Sequence, residues 1–157
     1  MSEENKALIR RWFDEVWNKG REEAIDEMFA DEGVAQGLAD ESGAPLRGPA
    51  GFKPFFRRFR GSFPDIEVVV EDTIAEDDKV VARCSVRGRQ TGDGLGFSAT
   101  NQPVEFTGIS IVRVHDGKIV EAWNNFDFMR MFQQLGALRL DVPAAEYPRD
   151  EPLPSTD

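Results

Sequence analysis

Hydrophobic positions first recur at helical spacing. Leu8, Ile9, Trp12, Phe13, Val16 and Trp17 share one face of a segment from Glu4 to Lys19, and Gly20 supplies its stop. A shorter helix follows, with Ile25, Met28 and Phe29 on one side. Residues 31–48 are rich in Gly and Ala, which predicts irregular chain holding a short strand near Val34–Gln36. Pro49 then opens a third helix as a first-turn proline. Its stripe is Phe52, Phe55, Phe56 and Phe59, a full i, i+3, i+4, i+7 set, and Phe63-Pro64-Asp65 ends it.

Beyond Asp65 the period changes to alternation. Ile66–Ala75 and Lys79–Arg89 read as strands joined at Glu76-Asp77-Asp78. Residues 91–103 carry three glycines and no period, so they read as a loop. Val104–Val114 and Lys118–Asn124 are the last two strands, and Phe128–Leu135 a final helix capped by Gly136. Helices first and a meander afterwards predict an α+β fold with helices packed on one sheet face. Residues 1–137 form the expected single domain. The stretch 138–157 is acidic and Pro-rich, and is expected to be a mobile tail or to lie over a neighbour. Val68-Val69-Val70, Val80-Val81-Ala82 and Ile109–Val112 are apolar on both strand faces. The outer face therefore wants cover, and a homodimer through it is the simplest cover; the tail is the alternative.

The turn around His115-Asp116-Gly117 decides which residues share a face. A two-residue Asp116-Gly117 loop pairs Val114 with Ile119 and points Ser110 the same way as Trp123. A three-residue loop pairs Val114 with Lys118. It then puts Ser110, Val112, Val120, Ala122 and Asn124 on one face and Ile109, Ile111, Ile119, Glu121 and Trp123 on the other. The residues alone leave both open.

Composition narrows the chemistry. The net charge of −10 disfavours nucleic acid and anionic membrane as partners. Arg57, Arg58 and Arg60 read as a solvated helix face. No apolar run reaches membrane-spanning length and MSEENK does not resemble a signal peptide, so a cytoplasmic location is expected. Cys84, the one cysteine, reads as a small core residue. His115, the one histidine, reads as a surface turn residue. That leaves no material for Ser-His, Cys-His or multi-histidine metal chemistry. Proton transfer would then fall to a carboxylate beside apolar surface. Asp127, between Phe126 and Phe128, is the best placed, although it is equally suited to cap the final helix.

Several segments, in this order and spacing, carry a resemblance over nearly all of residues 5–136: NKALIRRWFDEVWNKG, GFKPFFRRFRGSFPD, VRGRQTGDGLGFSATNQPVEFTG, HDGKIVEAW and QQLG. Together they resemble the SnoaL-like polyketide cyclases. The resemblance implies the nuclear transport factor 2-like cone, a curved antiparallel sheet wrapped over helices around a deep apolar pocket. It implies a ring-closing intramolecular aldol reaction on a hydrophobic carbonyl substrate without a cofactor, and it favours the three-residue hairpin loop. It places the family's catalytic aspartate at Asn124, its pocket histidine at Ser110, and a further histidine at Gln36. A second aspartate is kept as Asp127, and Ser98-Ala99 stand where relatives often have a proline pair. An amide cannot take a proton, and a general base typically contributes 10²–10⁴-fold, so the exchange should nearly silence an aldol cyclase. Asn124 keeps the ability to donate a hydrogen bond to an oxyanion. Asp127, Asn124 and Ser110 are thus the candidate catalytic residues. Gln36, Trp12, Phe56, Phe59 and Phe106 are candidates for substrate contact, with Trp17 and Phe52 also available to line the pocket or simply fill the core. The functional alternatives are a cyclase-type enzyme, an isomerase or epoxide hydrolase using Asp127, a non-catalytic binder of hydrophobic ligands, and a structural module with a collapsed pocket.

Overall fold

A computed structural model describes residues 2–138. The expected tail thus lies, beyond its first residue, outside the described residues. Helix α1 spans Ser2–Arg11 and runs into a π-helical segment, Trp12–Asn18. Helix α2 is Glu23–Met28, α3 is Gly48–Ser62 and α4 is Phe128–Gln134. Six strands follow the order β1 Phe29–Ala39, β2 Pro45–Arg47, β3 Glu67–Glu76, β4 Lys79–Arg89, β5 Pro103–His115 and β6 Lys118–Phe126. They form one open sheet in the spatial order β2-β1-β6-β5-β4-β3. None of the described helices is long and apolar enough to cross a membrane.

The N-terminal helices and α3 cover one face of the sheet, as the apolar stripes require. Ile9, Val16, Ile25 and Met28 are buried there, with Phe52, Phe56, Phe59 and Phe63 from α3 and its end. Arg57 of α3 holds Glu22 before α2 through two bonds, at 2.5 and 2.9 Å. This guanidinium holds the Glu22 carboxyl below its ordinary range. Arg58 pairs with Glu41 at 3.1 Å, and Arg60 donates to the carbonyls of Trp17 and Pro64. The basic cluster thus serves surface pairing and helix-end capping.

Three features depart from the pattern. The first helical stripe is not one α-helix, because its second half winds as a π-helix, closed at its end by the Lys19 N–H on the Asp14 carbonyl at 2.8 Å. The Gly- and Ala-rich segment holds an eleven-residue strand and a second short one, not a single short strand. Phe29 begins that strand and does not sit on the helix. And the sheet is mixed: β1 runs parallel to β6, pairing Ala35 with Ala122 and Gln36 with Trp123. A register shift between Phe29 and Val34 breaks the alternation of β1, which is why its sequence shows no period.

The last hairpin resolves the two loop readings in an unforeseen way. Asp116 (φ 51°) and Gly117 (φ 74°) are both left-handed, so the loop has two residues, and Val114 pairs with Ile119. The three-residue loop is therefore incorrect. The register then shifts, so that Arg113 pairs with Glu121 and Val120 is left as a bulge. Past the bulge Ser110 stands opposite Asn124. Ile119 comes to the inner side, while Val120 does not.

Candidate functional site

Between the helical layer and the inner sheet face lies a cavity of about 60 Å³. Trp12, Phe13 and Trp17 of the π segment form one wall, with Phe52, Phe55 and Phe59 of α3 beside them. The sheet contributes Val86, Phe106, Val112, Ile119 and Ala122. The half-buried lining residues Leu38, Phe55, Phe126 and Phe128 mark the mouth. The π winding shapes the first wall. Positions five apart on an α-helix diverge by about 140°; bonding to the fifth residue back brings Trp12 and Trp17 towards one side.

Among the described residues, Ser110 and Asn124 are the two side chains in this lining, apart from the indoles, that carry hydrogen-bonding groups. Ser110 is 2% exposed. Its hydroxyl donates to Oδ1 of Asn124 at 3.0 Å. Nδ2 of Asn124 donates in turn to the backbone carbonyl of Gln36 at 3.0 Å. Those two partners fix which end of the amide is which, because the carbonyl of Gln36 can only accept. Each partner lies on a different strand, so Asn124 ties β5, β6 and β1 together at one point. One amide hydrogen and the hydroxyl lone pairs remain for a ligand.

The proposed site residues fall in four groups. Asn124, Ser110, Trp12, Phe59 and Phe106 line the cavity. Phe56 is buried in the core behind the lining and packs on Trp17 at 5.6 Å. Gln36 meets the site through its carbonyl, not its side chain. Asp127 is exposed and stands outside the lining as the cap of α4, accepting from the Arg130 N–H at 3.0 Å. Among the described residues no carboxylate or basic group borders the cavity. Phe13, Ile119, Phe126 and Phe128 line it without having been singled out; Phe126 and Phe128 lie beside Asp127, the one local signal.

A larger surface groove, about 630 Å³, runs by Asp65, Glu67, Arg87, Glu105 and Gln134. Its polar groups already answer one another. Arg87 pairs with Glu67 at 3.0 Å, and the Gln134 amide bonds the backbone of Glu105 at both ends, at 2.9 Å each. The aromatic cavity is the better candidate, because ligand sites are concave, mostly apolar and carry few converging polar groups.

A helical layer on an open curved sheet, with a cavity between them, is the α+β architecture of the nuclear transport factor 2-like fold. The SnoaL-like polyketide cyclase profile matches residues 7–135. The chain belongs to the SnoaL-like polyketide cyclase family. It is 29% identical over 131 residues to the aklanonic acid methyl ester cyclase DauD of Streptomyces sp. (strain C5), covering 82% of this chain and 80% of the relative. The same identity and length relate it to the aklanonic acid methyl ester cyclase DnrD of Streptomyces peucetius, with 88% of that relative covered. Among solved structures, TsrD from Streptomyces laurentii superposes with a TM-score of 0.76 at 28% identity, covering 88% of this chain and 98% of that one. IdmH from Streptomyces antibioticus, a candidate polyketide cyclase, gives 0.72 at 31% identity, covering 84% and 98%.

Proposed function

We propose that the protein takes a neutral hydrophobic carbonyl compound into the aromatic cavity and acts on it as a cofactor-independent site of the cyclase type. Asn124, standing where the family's aspartate is expected, orients and polarises the carbonyl in place of removing a proton. The observation that carries this reading is the Ser110–Asn124–Gln36 chain, which leaves one amide N–H and the hydroxyl lone pairs for a ligand in an otherwise apolar lining. A charged ligand would be buried there without a partner, at a cost of several kcal/mol, on the order of the penalty for an unpaired buried ion. The cavity is also less than half the ~150 Å³ that admits a benzene. A multi-ring ligand therefore enters by displacing the half-buried phenylalanines of the mouth.

A second reading is favoured by one observation. Among the described residues no carboxylate borders the cavity, and Asp127 is engaged on the backbone of α4. A protein that binds such a compound without transforming it fits this equally. Incubation of the protein and of Asn124→Asp with aklanonic acid methyl ester separates the two. Turnover by the unaltered chain supports the cyclase-type site. Binding without turnover supports the binder, and turnover gained only by Asn124→Asp identifies the missing base as the sole deficit.

We further propose a homodimer through the outer sheet face. Ile74, Val81, Ile111 and Trp123 lie in one row across β3, β4, β5 and β6, and Ile74 is 65% exposed.

A further inference from the structure

The indole of Trp12 carries a donor that the protein itself does not use. Trp12 is 7% exposed and borders the cavity. Its Nε1–H donates to no group of the described residues, whereas a buried indole N–H usually finds an acceptor. Nor is that nitrogen sealed away: among the described residues only Nε2 of Gln90 is both sealed and without a partner. Trp17 also borders the cavity, and its indole N–H likewise has no partner among the described residues, but its ring is packed by Phe52, Phe55, Phe56 and Phe59, all within 5.6–6.2 Å. Trp12 has two ring neighbours, Phe29 at 6.0 Å and Phe52 at 5.2 Å.

We propose that Trp12 is a ligand-binding residue whose indole N–H donates a hydrogen bond to a carbonyl oxygen of the bound compound. Together with the spare amide hydrogen of Asn124, it makes the cavity selective for neutral fused-ring ketones over hydrocarbons of the same shape. The inference rests on the cavity being a ligand site. The chemistry follows from the inventory of the lining: donors are in surplus there, and a ketone supplies acceptors without bringing a charge or a donor of its own. Trp12 is the first residue of the π-helical segment, directly after α1.

The test is a titration of the full chain, labelled with nitrogen-15, with 1-tetralone and with tetralin. The Nε1–H resonances of Trp12, Trp17 and Trp123 are assigned from backbone connectivities, so no variant is needed to read them. The ketone should move the Trp12 Nε1–H signal downfield and tetralin should not. Trp12→Phe should then lower the preference for the ketone by about 2- to 10-fold, the range of one neutral hydrogen bond. If the ketone shifts cavity methyl signals while the Trp12 Nε1–H signal stays in place, the donor assignment is wrong and the ligand site stands. If neither compound shifts the cavity signals at millimolar concentration, the ligand site and the donor assignment fall together.

Discussion

A Cβ on Gly37 would stand 1.9 Å from the backbone carbonyl oxygen of Asn124. Gly37 is also left-handed, at φ 81°. The parallel contact of β1 with β6 closes at this point, one residue after the carbonyl that receives the Asn124 amide. Only glycine meets both conditions. Gly37→Ala should therefore cost about 3 kcal/mol or more, since backbone strain adds to a clash with main chain that cannot turn aside. Urea unfolding midpoints at constant slope measure it; a loss below about 1 kcal/mol would show that β1 can slide away from β6 freely.

Asn124→Asp turns a satisfied amide into a pH-dependent group. One carboxyl oxygen would keep the Ser110 hydroxyl, and the other would face the Gln36 carbonyl, which cannot donate. Only the protonated acid restores that second bond, so the folded-state pKa is raised above the unfolded value of about 3.9. The variant binds more protons folded than unfolded between those two values, and its stability falls as pH rises through that window. At neutral pH it should be less stable than the parent by about 1–3 kcal/mol, with the gap closing near pH 4. Denaturant titrations of both proteins at pH 4 and 7.5 would reveal a constant gap if the argument is mistaken.

Burial pushes the Cys84 thiol up to about 12. The folded protein should thus react with Ellman's reagent at pH 8 only as fast as it opens, and stoichiometrically once unfolded in urea. The same shift makes stability fall as pH rises above about 8.5, the unfolded thiol value, because the folded state holds its proton longer. Rapid labelling of the native chain would contradict the placement of Cys84 on the inner face of β4.

The proposed dimer places Ile74, Ile111 and Trp123 in contact with a second copy. Ile109, 45% exposed on the adjacent row, lies within the same face. Ile109→Glu should convert the dimer to monomer at micromolar concentration without lowering the monomer's helix and strand content. Sedimentation velocity reads the mass, and a parent chain that already sediments as a monomer removes the proposal.

The elements carried by a long regular period were legible. The α3 phenylalanines and the alternation of β4 and β5 needed no tertiary information, because each pattern is repeated enough to outweigh local irregularity. What was hidden lies where one residue is inserted into a period. The π winding after Arg11 adds to the helical repeat without changing which residues are apolar. The shift between Phe29 and Val34 scatters the inward positions of β1 among Gly and Ala, leaving no alternation to read. At the site, Asp127 illustrates a different limit. A carboxylate between two phenylalanines reads alike as a buried acid and as a helix cap, and only the position of the Arg130 N–H distinguishes them. The donor side of Asn124 was equally hidden, since its acceptor is a main-chain carbonyl 88 positions away.

The bulge at Val120 gives the final hairpin two phases. Residues on the loop side of Val120 alternate in one phase, and those on the pocket side in the opposite one. Ile119 and Ala122, three apart, consequently both face inward, a spacing that an unbroken strand forbids. The orientation of Asn124 therefore does not depend on the loop alone. Removing Val120 alone would straighten the strand without moving the register beyond it: Ile119 and Glu121 become neighbours, still opposite Val114 and Arg113, and Ser110 should still face Asn124. Flattening the bulge while Val120 stays would instead pair Arg113 with Val120 and swing Trp123 into the cavity in place of Asn124.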